Sequence, residues 1–476
     1  MIHFHNYHKT IQITLFLALV LFSKIVYSHN TLPDLGSPDL IIYDRSTEER
    51  LGEAFKASLH QDFQISNDLV INQYIRDLGH LLASYTGKNR NFRFYVIEDS
   101  SINAFAGPNG IIGIHTGLIK AAQSEAEIAA VIAHEISHVT QNHLSRRYEY
   151  ASNSGNLNSL ATLLAAILIG TVDPNAGMAT LMGGMGYNLQ QQLKNSRLHE
   201  KEADSIGIQL LHEAGFDPHA MGDFFGRLAK NESLSKFKVP EILRTHPVSE
   251  SRLAEADNRA EQLKSDKLKN DSELFKLVKL KLGITTESPS SSTQLDANQL
   301  CLQKAYSTNK LPECLMDRID VLSENPTYLT EAIHFINLDK NSITNKQKAK
   351  VIDKAYLKID LYPKNNALLL ELVTLLANTG DKQKAINLLK NRVTSLSYQY
   401  QANQKLSELY ATLNELDYAY YYLARYNLEI GNRERAEYYL TLAESHIKET
   451  DKTLEAKITI FRKNNLKLLK IKDKQL

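Results

Sequence analysis

The sequence predicts a mainly α-helical chain with one small β-sheet in its first half and a helical-repeat second half. Three observations lead there. Helix-spaced apolar residues with capping signals recur over most of the length, strand and hairpin signals are confined to residues 92–115, and a Gly-to-Ala spacing repeats near the C-terminus. At 476 residues the chain has room for two or three domains. Its formal net charge of +1 removes the simplest electrostatic case for nucleic-acid binding, which needs a basic excess. Trp is absent and Tyr plentiful, a bias read as core and groove packing.

The N-terminus carries Lys9, an apolar run from Ile11 to Val26, and then Val26-Tyr27-Ser28, which has the small-residue character of a cleavage site. This reads as a secretory signal peptide over residues 1–28. The alternative is a membrane anchor, for which the run is short. An exported chain with Cys301 and Cys314 as its two cysteines is expected to pair them in a disulfide closing a small loop.

Two helices are expected within residues 40–86, one opened by Ser46-Thr47-Glu48-Glu49 and one from Asp68, with Leu69, Ile71, Tyr74, Ile75, Leu78, Leu81 and Leu82 at helical spacing. Phe92 to Ile97 reads as a strand. Ile102 to Phe105 and Ile111 to His115 flank Gly107-Pro108-Asn109-Gly110, a hairpin signal. Ser124-Glu125-Ala126-Glu127 is a capping box that starts a helix running past Val139. Residues 151–189 hold an apolar run, Leu160 to Ile169, and a Gly/Met-rich stretch. They read either as a buried helix with a lid or groove wall, or as a core helix with a loop. Helix is expected again from Arg197 to Gly215, from Pro218 to about Lys230, and over 249–266.

Residues 284–298 are polar and aperiodic, which marks a linker between a first half, 29–283, and a second half, 299–476. In the second half Gly380 precedes Ala385 by five positions, and Gly431 precedes Ala436 by five. These are the turn Gly and close-packing Ala of tetratricopeptide-type helical pairs. The two units are 51 residues apart, one and a half standard periods, so the spacing is irregular.

The chemistry is concentrated in His134-Glu135-Ile136-Ser137-His138. Two histidines four apart on a helix project from one face and can grip one metal ion. Glu135 beside them can take the proton of a zinc-activated water and pass it to a leaving amine. A third ligand is required. The metzincin extension needs Gly at 141 and His at 144. The chain has Gln141 and Leu144, with His143 one place off register. A downstream carboxylate is the alternative, and Leu198-His199-Glu200-Lys201-Glu202-Ala203-Asp204 offers Glu200 or Glu202. These point about 200° apart around a helix, so both cannot serve.

The pair His134-Glu135-Ile136-Ser137-His138 and Glu200-Lys201-Glu202-Ala203-Asp204 resembles the HExxH…ExxAD pattern of the HtpX and CAAX-prenyl-protease type of gluzincin. Asn103-Ala104-Phe105-Ala106, Thr116-Gly117-Leu118-Ile119 and Thr245-His246-Pro247 are similar to that family too, so the likeness spans roughly residues 40–260. It implies a gluzincin-type zinc metallopeptidase domain with one zinc ion. Glu200 becomes the third ligand beside His134 and His138, and Glu135 the catalytic base. Asp204 acts with it by accepting a hydrogen bond from a ligand imidazole. Glu202 is then a solvated charge. The integral-membrane relatives have several spans and this chain shows none, so it fits a soluble branch. A signal peptide and a tetratricopeptide-type tail imply a periplasmic metalloendopeptidase and chaperone. Its partners would be exported or outer-membrane client proteins, the outer-membrane β-barrel assembly machinery and the lipopolysaccharide-transport barrel, with peripheral membrane contact and no nucleic acid.

Four further residues carry narrower expectations. His246, fixed before Pro247, is either structural or a fourth ligand that closes the zinc site and holds the enzyme latent. Arg252 is either a surface residue or a partner of a carboxylate or oxyanion at the site. Asn103 and His115 lie by the hairpin, whose edge strand could pair with an extended substrate. Three functions compete: an endopeptidase, a repeat-based scaffold or chaperone with a latent zinc site, and a non-proteolytic zinc hydrolase.

Overall fold

Asp44 accepts a hydrogen bond from Thr47 N (2.7 Å) and caps α1 (Arg45–Asp62), so the helix opens just before the expected Ser46. Asp68 caps α2 (Leu69–Ser84) in the same way, and Ile71, Tyr74, Ile75, Leu78 and Leu82 are buried as their spacing predicts. The computed structural model describes residues 44–147, 189–234, 239–263, 267–283, 295–339, 341, 343–393, 399–448 and 451–465. The expected signal peptide, residues 151–188 and most of the expected linker lie outside the described residues.

β1 (Arg93–Ile97), β2 (Ala104–Ala106) and β3 (Ile111–His115) form a sheet in the order β1-β3-β2. β1 runs parallel to β3, with Arg93 opposite Ile111 and Ile97 opposite His115, while β2 is antiparallel to β3. The hairpin turn holds Asn109 at φ 57° and Gly110 at φ 69°. Asn tolerates the left-handed region. At 110 only Gly fits, because a Cβ would fall 2.2 Å from Asn91 O. The short α3 (Thr116–Ala121) leads to α4 (Glu125–Thr140), whose residues are all buried. A helix covered on every side belongs at the centre of its domain. Its expected capping box is half formed. Ser124 Oγ accepts from Glu127 N, but the Glu127 carboxylate accepts from Gln123 N (2.6 Å) and pairs with Arg227 instead of closing on Ser124 N.

α5 (Leu189–Glu213) begins eight residues before the expected Arg197, since residues 189–196 contain neither Gly nor Pro to stop it. It ends at Gly215, φ 81°. α6 (Ala220–Leu234), α7 (Glu241–Thr245), α8 (Glu250–Gln262) and α9 (Glu273–Lys281) follow. The hydrophobic core formed by α2, the sheet, α4, α5 and α6 continues into α10 (Ala297–Thr308), α11 (Glu313–Asp317), α12 (Ile319–Leu322) and α13 (Pro326–Leu338) through Leu302, Leu315, Leu322 and Phe335. The Cys301–Cys314 disulfide joins α10 to α11 across a Cα separation of 6.0 Å.

α14 (Asn345–Leu361), α15 (Asn366–Asn378), α16 (Lys382–Arg392), α17 (Gln399–Thr412), α18 (Leu416–Glu429), α19 (Arg433–His446) and α20 (Lys452–Asn465) complete the helical half around a second core. Gly380 and Gly431 are left-handed, at φ 94° and 85°, and Ala385 and Ala436 are fully buried. The irregular spacing is explained by Asn414, left-handed at φ 59° in the α17–α18 turn and five residues before buried Ala419. It lies 34 residues after Gly380, one standard period, and does the work of a turn Gly. No described helix is long and apolar enough to cross a membrane.

Lys281 knots the two halves together. Its Nζ donates to Asp68 Oδ2 (2.8 Å), the α2 cap, and to Glu331 Oε1 (2.6 Å) on α13. Burial pushes the Glu331 carboxyl upward although Lys281 opposes it. Lys281→Met should therefore cost about 3–5 kcal/mol by stranding a buried acid, read as a lower urea midpoint; an unchanged midpoint would show that the knot adds nothing.

His60 lies between the Tyr95 and Tyr400 rings, with centroids 5.5 and 5.4 Å away. Burial, aided by Lys56, pushes its pKa down from 6.5 to about 4. The unfolded chain therefore takes up this proton first, and the His60 contribution to stability is present above pH 6.5 and lost as pH falls toward about 4. In His60→Phe the fall in melting temperature over that window should be shallower than in the wild type.

Candidate metal centre

The site is built where α4 faces α5. His134 and His138, one turn apart on α4, are both buried, and α5 brings the buried carboxylate of Glu200 between them. His138 Nε2 is 3.0 Å from His134 Nε2, and Glu200 Oε2 and Oε1 lie 3.3 Å from His134 Nε2 and 3.6 Å from His138 Nε2. His246, at the C-terminal end of α7, enters the same group. Its Nδ1 is 3.2 Å from His134 Nε2 and 3.0 Å from Glu200 Oε2. One donor atom from each of the four residues falls within 4.8 Å of every other.

These separations fit a shared cation. Donors around a small tetrahedral ion lie about 3.4 Å apart. Glu200 Oε1 is buried and accepts no hydrogen bond, as expected of an oxygen reserved for a metal. Imidazoles with one carboxylate suit zinc. Glu135 points its Oε1 at His246 Nε2, 3.3 Å away.

Charges behind the ligands hold them in place. Asp204 Oδ1 is 3.0 Å from His134 Nδ1, on the side of the ring away from Glu200. Arg252 is buried rather than a surface residue. It donates through Nε and Nη2 to both Asp204 oxygens and through Nη1 to Pro247 O (2.9 Å), and that Nη1 lies 3.2 Å from Glu200 Oε2. Burial disfavours a charged His134, but Asp204 and Glu200 outweigh it and lift its pKa to about 9. Burial would raise the Glu200 carboxyl, yet the His246, His138 and His134 rings hold it well below the usual carboxylate range. Asp204 is likewise kept low against burial, by Arg252 and His134. His138 is pushed well below its ordinary value by burial.

The structure does not bring Asn103 or His115 into this group. Both are buried beside the sheet's end, Asn103 just before β2 and His115 at the end of β3, where His115 Nδ1 meets Ser101 Oγ at 2.8 Å and His115 N donates to Asn103 O. Glu202, read as a solvated charge, is instead bonded to His143 Nε2 (3.1 Å) and Arg146 Nη1 (2.9 Å). Sequence reasoning missed His143 as a neighbour of the site. Its Nδ1 is 2.9 Å from His138 Nδ1, and burial pushes its pKa down to about 4.

Residues 71–260 match the profile described as Peptidase family M48. This part of the chain therefore matches a metallopeptidase family, and the candidate metal group lies inside the matched segment. Over 238 residues the chain is 39% identical to the beta-barrel assembly-enhancing protease of Escherichia coli (strain K12), covering 50% of this chain and 48% of that protein. Over 232 residues it is 40% identical to the putative beta-barrel assembly-enhancing protease of Vibrio cholerae, covering 48% of each. Over 180 residues it is 32% identical to the mitochondrial metalloendopeptidase OMA1 of Bos taurus, covering 36% of this chain and 32% of that one. The matched segment spans about half the length of the first two relatives.

Glu200→Ala should lose stoichiometric metal on dialysis, whereas Asp204→Asn should keep it with affinity weaker by about 10–100-fold. Elemental analysis and chelator competition read both. Full metal in Glu200→Ala would remove Glu200 from the ligand set.

Proposed function

We propose that this chain is a periplasmic zinc metalloendopeptidase that degrades misfolded or stalled outer-membrane proteins and assists the assembly of their β-barrels. The observation that carries the reading is the convergence of His134, His138 and Glu200 with Glu135 beside them in an M48 domain. Bound zinc would supply Lewis-acid activation of water and of the scissile carbonyl. Glu135 then takes the proton of the attacking water and returns it to the leaving amine. Asp204 holds the His134 ring, and Arg252 holds Asp204. The relatives named for barrel assembly support clients of that class. The exported N-terminus and the division into a peptidase half (29–283) and a tetratricopeptide-like half (299–476), which would hold clients, the assembly machinery or the lipopolysaccharide-transport barrel, belong to the same proposal. Asn103 and His115 would act only by shaping the edge of the sheet.

Glu135→Gln tests the chemistry. It should keep the fold and zinc and lower hydrolysis of an unfolded outer-membrane protein by several orders of magnitude; cleavage at the wild-type rate would sink the reading. If barrel assembly proceeds with this variant, assistance is independent of cleavage.

A second reading is favoured by one contact. His246 Nδ1 shares the ligand group while its Nε2 faces Glu135, so it stands where water would have to enter. As a fourth ligand it closes the site and makes the enzyme latent. His246→Ala should then cleave unfolded protein several-fold faster than the wild type with zinc still bound. No gain, with zinc retained, would show that His246 is only structural.

A further inference from the structure

His138 differs from the other two imidazoles of the group in what stands behind it. The outer nitrogens of His134 and His246 face carboxylates, Asp204 and Glu135. The outer nitrogen of His138 faces another imidazole, His143, 2.9 Å away. We propose that His143 and Glu202 form a positioning relay that locks His138 in the tautomer able to bind metal. The inference rests on His138 being a metal ligand.

A count of protons fixes the direction of the relay. Two ring nitrogens in contact can share only one hydrogen. If His138 is to hold a metal through Nε2, that atom must be bare and its proton must sit on Nδ1. His138 Nδ1–H therefore donates to His143 Nδ1, which leaves the proton of His143 on Nε2. That atom lies 3.1 Å from Glu202 Oε2 and donates to it. Glu202 in turn accepts from Arg146 Nη1 at 2.9 Å. Every proton then has one place and one acceptor. Running the chain backwards would put the His138 proton on Nε2, aimed at His134 Nε2 3.0 Å away and blocking the ligand position.

Local structure aims His143 and keeps it from turning. α4 stops at Thr140, and Asn142 adopts the left-handed conformation (φ 54°), which swings the chain back so that His143 lies against the helix it has just left. The ring is buried and stacks on His199, with centroids 4.3 Å apart and planes 14° apart. His199 and Glu202 both sit on α5, so the helix that supplies Glu200 to the metal also supplies both contacts that fix the relay.

The test is zinc affinity of the full-length chain, measured with zinc alone by chelator competition and paired with the melting temperature of the metal-free protein. His143→Phe keeps the stacking ring but removes the acceptor, and Glu202→Ala removes the end of the relay. Each should weaken zinc binding about 10–100-fold, while Glu202→Gln, whose amide oxygen still accepts from His143, should recover most of the loss. Glu255→Gln, which removes the surface pairing with Lys201, should bind zinc like the wild type. Wild-type affinity in Glu202→Ala and His143→Phe would overturn the proposal. So would a loss in Glu202→Ala that Glu202→Gln does not recover, or one matched in full by a fall in metal-free melting temperature. The Glu202 side chain is 36% exposed, so that pair of variants decides the matter even if His143→Phe does not fold. A wild-type chain that binds no zinc would instead overturn the metal centre itself, a distinguishable result.

Discussion

The candidate metal centre depends on how closely α4 and α5 approach. A Cβ at Gly207 would sit 3.2 Å from His134 N and 2.8 Å from Met221 Cε, and Ala133 and Ala203 at the same crossing are fully buried. Only small residues let two helices pack at this distance, and only at this distance can a carboxylate on α5 reach between two imidazoles one turn apart on α4. Ligand geometry tolerates errors of only roughly 0.5 Å, so even the shift of a few tenths of an ångström that an added methyl would ask of the His134 backbone uses up much of that tolerance. The sheet, α2 and α6 bury α4 on its other sides and prevent the pair from separating.

That close approach creates a charge imbalance. Glu135, Glu200 and Asp204 converge, and among the described residues Arg252 is the permanent cation paired with Glu200 and Asp204. Buried carboxylates must be paired or bind metal. The excess is visible in His134, whose pKa is lifted to about 9 despite complete burial. A divalent cation answers the same need with the right charge, and its binding must expel that proton. Electrostatics and ligand spacing thus make the same demand independently.

Much of this was legible in the chain itself. The spacing of His134 and His138 on a helix follows from α-helical geometry, and the buried spacing along α2 and the turn at Asn109-Gly110 follow from equally local rules. What escaped depends on tertiary contact. Glu202 and Glu200 do point apart on α5, and Glu202 stays partly exposed, yet it is bonded rather than free because the chain beyond Asn142 folds back against it. His143 lies one place off a ligand register, and that offset is what sets it behind His138 rather than beside the metal group. Glu127 has the sequence of a capping-box partner but finds Arg227 from α6, a contact that no local pattern encodes. The repeat turn at Asn414 is invisible to a Gly-to-Ala spacing, because Asn occupies the same left-handed backbone region.

The arrangement around Arg252 also bears on how a closed site could open. His246 caps a helix of a single short turn, and its segment is tied down by Ile242 N donating to Ile102 O and by Arg252 Nη1 reaching Pro247 O. The remaining Arg252 nitrogens, Nε and Nη2, hold Asp204. The guanidinium therefore serves two masters through different atoms. Withdrawal of His246 and Pro247 breaks the Nη1 bonds to their carbonyls and leaves the Nη1 contact with Glu200 and the grip on Asp204, and through it the orientation of His134, intact. Ile242 and Leu243 of this segment are buried in the main core, so a local displacement has to be confined to His246 and Pro247 at its end. Helices α10 to α13 share a continuous core with the segment that holds the candidate metal group and are tied to it at Lys281, so separating them would cost far more. Were His246 a fourth ligand, opening by a local movement of His246 and Pro247 would cost less than parting the rest of the body.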